Sequence, residues 1–151
     1  MKLLHTGDWH IGKILYNQDL TGNFQSFFQQ LVEIVRTEQP NALLICGDIF
    51  ETSNPSIQAK RFFNENLLKI REALPSMSIV VISGNHDSSQ RVDVDGSLWQ
   101  FAGVHVVSTI RNGEGDVDYD SHIVEIFDEK RNVIAMVGAV PFAYEQNFPV
   151  F

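Results

Sequence analysis

Cysteine is nearly absent from this sequence. Cys46 is the only one among 151 residues, which excludes an internal disulfide. Its position in an apolar segment predicts a small buried side chain rather than a redox group. Runs of 18 apolar residues are also lacking, so no membrane span is predicted, and the apolar stretch near Met1 is too short for a signal peptide. These absences predict a cytoplasmic protein without a membrane partner.

Basic residues are few. Eleven Lys and Arg stand against 19 Asp and Glu, and the formal net charge is −8. Non-specific nucleic-acid binding depends on Lys and Arg that neutralise phosphates, so this balance counts against it. The exclusion is partial, because bound cations reverse the local field around the carboxylates that hold them.

Apolar runs and helical periods alternate through the first two thirds of the sequence. The runs are typical of buried parallel strands, and they are Leu3-Leu4, Ala42 to Cys46 and Ile79 to Ser83. The segments between them predict one helix over residues 22–38 and a second that Asn54 caps and that ends at Pro75. A third helix is predicted over Val92 to Phe101.

The last third of the sequence has a β-rich pattern. Strands are predicted over residues 104–109, 122–127 and 133–140, and the last two form a hairpin around the turn at 128–132. The predicted fold class is therefore α/β, with two packed sheets and helices outside them. The length suits a single domain.

Polar side chains follow each of the three apolar runs. Asp8 and His10 follow the first, Asp48 the second, and Asn85 and His86 the third. Parallel strands of a βαβ unit bring such loops to one edge of the sheet, where ligands of open α/β sheets bind. Each motif alone is a common turn. Their succession after three strands predicts that the side chains converge.

The residue types in these loops suit a divalent metal. Carboxylate and amide oxygens combined with imidazole nitrogens match manganese, iron or zinc. Asp8 and His10 share one face of an extended segment, and Asp48 is able to bridge two ions about 3.5–4 Å apart. His86 points away from the direction of Asn85, which suits a group that acts on a phosphate. The sequence therefore predicts a metal-dependent phosphoesterase.

Four neighbouring residues are candidates for supporting roles. Asp87 would orient His86 or an adjacent ligand from behind. Glu51 is either a carboxylate behind the ligands or a solvated loop charge. Lys13 and Arg91 are either substrate contacts or ordinary surface charges.

The remaining rings near or outside the motifs have structural interpretations. Trp9 and Phe50 are predicted to pack beneath the site, with base stacking as the lesser alternative. His5 is interpreted as a core residue or a support for a ligand. His105 and His122 are interpreted as surface residues.

The three motifs, Asp-x-His, Gly-Asp and Gly-Asn-His-Asp, resemble those of the calcineurin-like metallophosphoesterase superfamily. The resemblance implies a two-sheet β-sandwich flanked by helices, in four layers α/β/β/α. It also implies that Asp8, His10, Asp48 and Asn85 are metal ligands, with Asp48 between two ions, and that His86 is catalytic.

The histidine motifs that complete the superfamily's metal site do not follow Val140-Pro141-Phe142 in this sequence. We therefore expect residues 1–151 to be the N-terminal part of a nuclease domain, with an incomplete second sheet and without the capping domain. The second metal site would then lack most of its ligands, and the fragment by itself would have little or no activity.

Longer segments, particularly Asp8-Trp9-His10-Ile11-Gly12, resemble the DNA nucleases within the superfamily. This implies manganese-dependent cleavage of phosphodiester bonds at DNA ends and hairpins, with magnesium, iron or zinc as other ions. It also implies roles in DNA repair, recombination and replication, a homodimer, and an SMC-like ATPase partner. A small-molecule phosphoesterase of the same superfamily and a metal-poor interaction module stay open as alternatives.

Apolar positions of the first and third helices predict either packing on the sheet alone or an exposed strip that joins two copies. These positions are Phe24, Phe27, Phe28 and Leu31, and Val94, Leu98, Trp99 and Phe101.

Overall fold

The computed structural model describes residues 1–88, 92, 96–110, 117 and 119–144, and at residues 97 and 98 the backbone alone. In chain order the described elements are β1 (Leu3–Thr6), β2 (Ile14–Leu15), β3 (Gln18–Asp19), α1 (Thr21–Glu38), β4 (Ala42–Cys46), α2 (Ile57–Ala73), β5 (Ser78–Ile82), α3 (Gly96–Phe101), β6 (Val104–Val107), a 3-10 turn (Asp120–His122), β7 (Ile123–Phe127) and β8 (Val133–Gly138).

The main sheet has four parallel strands in the order β1-β4-β5-β6. All three neighbouring pairs are parallel and in continuous register. The crossover segments between these strands carry the helices, so the three polar loops leave the sheet at the same edge, as the sequence predicts. The βαβ order and the α/β class are confirmed.

Helix α1 matches its prediction to within one residue, whereas α2 begins later than predicted. Ser56 has an extended backbone (φ −63°, ψ 158°), and its Oγ accepts the N–H of Ala59 at 3.1 Å. The predicted cap at Asn54 is therefore wrong, because the serine two residues later satisfies the free amide. Among the described helices, none combines the length and the apolar character that crossing a membrane requires.

One face of the main sheet packs against the helices. The core on this side joins alternate strand residues such as Leu43, Ile45 and Val81 to Phe28 of α1 and Leu67 of α2. Each of these five side chains is buried. The alternation arises because successive strand residues point to opposite faces, and it makes this face the main hydrophobic core.

The opposite face is covered by an antiparallel ribbon of β7 and β8. This second, smaller core contains Val80 and Val107 of the main sheet, Val124 and Ile126 of the ribbon, and Ala139. The predicted hairpin around residues 128–132 is confirmed. The described residues form the α/β/β part of the predicted layers.

Three interpretations of strand residues are wrong. Cys46 is exposed, and so is His5, which contradicts the core interpretation of His5; neither residue belongs to the core that the ribbon forms with this face. His122 is buried, with Nδ1 2.8 Å from the carbonyl oxygen of Ala139 and Nε2 3.3 Å from that of Ile110. His105 is half-buried.

The polar loop over residues 11–21 contains the short β2–β3 hairpin. Tyr16 and Asn17 form its tip with φ values of 48° and 60°. Two consecutive residues with positive φ match the right-handed twist of paired strands.

Most of the predicted apolar strip packs inward. Phe28, Leu31 and Trp99 are buried in the helix-side core. Phe27 is 36% exposed and Phe101 is 99% exposed. Val94 and the side chain of Leu98 lie outside the described residues. The interpretation that the strip is exposed is therefore wrong for its three buried members.

Candidate metal centre

Backbone hydrogen bonds continue the β1–β4 pairing beyond the ends of the two strands. The N–H groups of Asp8 and His10 donate to the carbonyls of Gly47 and Asp48 at 3.0 and 2.9 Å, respectively. Ile11 then donates to Ile49 at 2.9 Å. The first two polar loops are thus joined residue by residue, which fixes the backbones of the predicted ligands Asp8, His10 and Asp48 against each other.

Three of the predicted ligands have left-handed backbones. The φ values are 53° at Asp8, 49° at His10 and 49° at Asp48. Such conformations in non-glycine residues cost of the order of 1–3 kcal/mol each and concentrate at functional sites. The extended segment predicted for Asp8 and His10 is therefore wrong, because both residues have positive φ.

Two glycines make the close approach of the second and third loops possible. Gly47 has φ 86°, and a Cβ there would lie 2.8 Å from the Cα of Gly84. A Cβ on Gly84 would overlap the carboxylate and the backbone nitrogen of Asp48. Both motifs therefore require glycine for steric reasons.

His10, Asp48 and His86 bring their donor atoms together. One ligand atom from each lies within 4.8 Å of the others. His10 Nε2 is 3.8 Å from Asp48 Oδ2, and the two imidazole rings meet edge to face with centroids 4.9 Å apart. Imidazole and carboxylate donors at this spacing fit a divalent transition metal. The predicted convergence is confirmed for these three residues.

Asp8 and Asn85 lie around this group. Asp8 Oδ1 is 3.9 Å from His10 Nε2, and its side chain is largely exposed. Asn85 is exposed, and its backbone carbonyl accepts the hydroxyl of Tyr144 at 2.7 Å. Tyr144 was not predicted as a site residue, and its only sequence signal is its place two residues after Phe142.

The Asp48 carboxylate is held from the third loop. Its Oδ1 accepts the backbone N–H of His86 at 3.0 Å, while Oδ2 lies on the side of His10. This bond fixes the rotation of the carboxylate and ties the second loop to the third. Each carboxylate oxygen keeps a further lone pair for an ion.

Asp87 acts on the backbone rather than on the His86 side chain. Its buried carboxylate accepts the N–H groups of Ile49, Phe50 and Gly84 at 3.1, 3.1 and 2.9 Å, respectively. The group joins two loops that are distant in sequence. Orientation of His86 by Asp87 is therefore indirect, through the position of the loop.

Glu51 contacts both histidines of the group. Its Oε2 lies 2.9 Å from His10 Nδ1 and 3.4 Å from Lys13 Nζ. The His10 contact is close but is not aligned as a hydrogen bond, so within the described part of the chain the buried Nδ1 has no hydrogen-bond partner. The backbone carbonyl of Glu51 lies 3.0 Å from His86 Nδ1. Arg91 lies outside the described residues.

Aromatic side chains form the floor beneath the loops. Trp9 and Phe50 are buried, and Trp9 meets Phe28 edge to face with centroids 4.8 Å apart. Phe50 packs on Phe63 at 5.6 Å. The packing interpretation of Trp9 and Phe50 is confirmed, and their burial leaves no face for a base to stack on.

Comparison with known proteins agrees with this geometry. The family model "Calcineurin-like phosphoesterase" matches residues 1–142. The chain is 38% identical over 149 residues to the SbcD component of the nuclease SbcCD of Rhodobacter capsulatus, which covers 99% of this chain and 37% of that protein.

Two further relatives carry the same name. The Bacillus subtilis protein is 36% identical over 107 residues, covering 71% of this chain and 27% of its own length. The Escherichia coli K12 protein is 30% identical over 109 residues, which cover 72% of this chain and 27% of that protein. The chain thus spans about a quarter to two fifths of these relatives. With a family model matched along nearly all of it, the chain belongs to the calcineurin-like phosphoesterase family.

Proposed function

We propose that this chain is the N-terminal part of a metal-dependent DNA nuclease subunit that cleaves phosphodiester bonds at DNA ends and hairpins. One observation carries the proposal: donor groups from three loops converge in a chain that is similar, over 99% of its residues, to a nuclease subunit. The polar carboxyl edge of the sheet is where such a fold presents its ligands.

The proposed ligands are Asp8, His10, Asp48 and Asn85, with Asp48 placed between two ions. Manganese is the proposed metal, and the same donors also suit magnesium, iron or zinc. When bound, the ions lower the pKa of a water molecule and orient it toward phosphorus. The protein contributes the fixed Asp48 carboxylate and the joined loops that hold the donors.

His86 is the proposed catalytic residue. A carbonyl oxygen is only an acceptor, so the 3.0 Å contact with Glu51 places a proton on Nδ1. Nε2 is the nitrogen on the other side of the ring, and when it also carries a proton, in the imidazolium form, it is the group that would stabilise the phosphate charge or protonate the leaving oxygen. Asp87 keeps the His86 loop in place through the backbone.

The proposed setting is a cytoplasmic homodimer with an SMC-type ATPase partner similar to SbcC, which acts in DNA repair, recombination and replication. The names of the relatives support a two-part complex. For the homodimer we propose the outer surfaces of α1 and α3, where Phe27 and Phe101 remain exposed. A dimer would place two metal sites near one DNA, and the metals would offset the acidic surface.

The test of nuclease function is a chimera. Residues 1–142 of this chain replace the matching part of the R. capsulatus relative, and cleavage of hairpin-ended duplex DNA is measured with saturating manganese. We expect cleavage by the chimera and a loss of roughly 10²–10⁴-fold in His86→Ala with metal binding retained. Hydrolysis of a small chromogenic diester without DNA cleavage would support the small-molecule alternative instead.

The metal centre is tested separately in the chain itself. Calorimetry should detect weak manganese binding that Asp48→Ala abolishes, because Asp48 links the other donors. Asp120→Ala, an aspartate in the 3-10 turn, is the matched control. Equal affinity in the wild-type chain and Asp48→Ala would contradict the proposed ligand set and favour the metal-poor alternative.

A further inference from the structure

We propose that Glu51 is a positioning residue that sets the tautomers of two histidines at once. Its carboxylate oxygen, 2.9 Å from His10 Nδ1, is the acceptor for an N–H on that nitrogen, and its backbone carbonyl accepts the N–H of His86 Nδ1 at 3.0 Å. Nε2 of His10 then keeps a lone pair for a metal, and Nε2 of His86 is the nitrogen left to interact with the phosphate. The inference deepens the proposed function and rests on the metal centre described above.

The two contacts come from different parts of Glu51. The carbonyl contact with His86 Nδ1 at 3.0 Å belongs to the backbone, so it survives any substitution that leaves the loop in place. The loop is held independently, because Glu51 N–H donates to the carbonyl of Ile11 at 3.2 Å. The carboxylate contact with His10 depends on the side chain alone.

Carboxylates lie near both ring nitrogens of His10 and favour different tautomers. On one side, Nε2 lies 3.9 Å from Asp8 Oδ1 and 3.8 Å from Asp48 Oδ2. These carboxylates favour a proton on Nε2, and that proton would occupy the lone pair needed for a metal. On the other side, Glu51 Oε2 lies 2.9 Å from Nδ1 and favours the proton there. Glu51 therefore decides which nitrogen stays free.

The environment of His10 Nδ1 supports this role. The atom is buried and has no aligned partner, which is costly for a nitrogen that carries a proton. Glu51 Oε2 lies 2.9 Å away, and it is the acceptor that we assign to this proton. Lys13 Nζ, at 3.4 Å from the same oxygen, limits where that carboxylate can go.

A purely structural role does not account for these contacts. The Glu51 side chain is 31% exposed, and it is directed at two charged or polar groups rather than at the core. A carboxylate behind a metal-binding histidine fixes the ring and its tautomer, and loss of such a group lowers metal affinity by about 10–100-fold.

The experiment is a long-range ¹H–¹⁵N correlation spectrum of the metal-free chain labelled in histidine, at a pH where the imidazoles are neutral. In the wild-type chain we expect His10 and His86 both to carry the proton on Nδ1. In Glu51→Ala, His10 should move to the Nε2-protonated form while His86 stays unchanged. In Glu51→Gln, the amide oxygen still accepts, so His10 should keep the Nδ1 proton.

Two internal controls accompany the spectrum. The signals of His122, buried between the carbonyls of Ala139 and Ile110, report whether each variant is folded. Glu33→Ala, on the exposed side of α1, should change none of the three histidines. If Glu51→Ala does not fold, Glu51→Gln and the wild-type spectrum still decide, because a wild-type His10 protonated on Nε2 overturns the proposal.

A manganese titration followed by electron paramagnetic resonance gives a second readout. Affinity should fall about 10–100-fold in Glu51→Ala and less in Glu51→Gln. An unchanged His10 in Glu51→Ala, or a change of both histidines together, would overturn the positioning role. Because the spectrum needs neither metal nor DNA, a chimera that fails to cut DNA would refute the nuclease function without touching this result.

Discussion

The two faces of the four-stranded sheet are covered to different extents. On the helix side, one row across the sheet reads Leu4, Leu43, Ile79, Val104, and the last three are fully buried. On the ribbon side, the neighbouring row reads His5, Leu44, Val80, His105, and only Val80 is buried. Burial on this second face thus falls toward β1.

This difference between the two faces indicates which core supports the loops that carry the predicted ligands. The loops after β1 and β4 rest on the helix-side core, which contains Trp9 from the first loop and Ile49 and Phe50 from the second. The ribbon-side core contains none of the proposed ligands or their flanking residues. The first two loops of the candidate site therefore depend on the helix-side packing, whereas the third loop also contacts the segment after β8, through the hydrogen bond from the Tyr144 hydroxyl to the Asn85 carbonyl.

The largest expected effect is a difference in the free energy of unfolding between two aspartate substitutions. Asp87 lies among the polar loops, and Asp128 lies in the turn of the ribbon. Asp87→Ala leaves two buried N–H groups and one partly buried N–H group without this acceptor, and it should lower the free energy of unfolding by about 3 kcal/mol. Asp128, in the exposed ribbon turn, also accepts backbone N–H groups. Urea unfolding should show a much smaller loss for Asp128→Ala, and similar losses would mean that the ribbon turn matters as much as the ligand loops.

Adjacent residues of β4 give the second test. Ile45 faces the helices and is 1% exposed, whereas Cys46 faces the ribbon side and is exposed. Ile45→Ala should cost about 2–5 kcal/mol through lost burial and a cavity. Cys46→Ala should stay within about 0.5 kcal/mol, as surface substitutions do. A comparable loss at Cys46, measured by urea unfolding, would show that its face is covered in solution.

The third prediction concerns β5, which is covered on both faces. Val80 on the ribbon side and Val81 on the helix side are 3% and 1% exposed. Val80→Ala and Val81→Ala should therefore cost similar amounts, about 1.5–3 kcal/mol each. Thermal unfolding of the pair, with wild type as reference, checks this. A negligible effect of Val80→Ala would mean that the ribbon is not packed on the sheet.

The smallest effect depends on pH. Burial of His105 on β6, and secondarily the charge of Arg71, lower the pKa of this histidine below its ordinary value. The unfolded chain therefore takes up the proton first, and stability is lost as the pH falls through about 6.5 toward the folded-state pKa. The loss is small because the group is half-exposed and screened by solvent.

His105→Gln should remove this part of the acid destabilisation without changing stability at pH 8. The free energy of unfolding, measured between pH 8 and pH 5 for both proteins, checks the sign. A wild-type chain that gains stability relative to His105→Gln on acidification would contradict it.

The sequence predicts the parts of the fold that depend on local pattern. The helical spacing of α1 and the apolar runs of β4 and β5 can be read from neighbouring residues in the sequence. The parallel order of the strands then brings Asp48 and His86 together. The exposure of Cys46 was beyond prediction, because an apolar run says that a strand is buried but not that both faces are. The contacts of His86 with Glu51 and of Asn85 with Tyr144, across 35 and 59 positions, depend on loop geometry alone.

The left-handed backbone at Asp8, His10 and Asp48 also limits which amino acids can be exchanged there. Asp, Asn and His tolerate this conformation better than other non-glycine residues. Glu and Cys are good metal donors, but at these positions they would add a backbone penalty of about 1–2 kcal/mol to any change in coordination. Attempts to engineer a thiolate-rich zinc site here would have to remodel the loops first. The backbone geometry thus limits which donor atoms these positions can present, and in this way it limits which metals the site would suit.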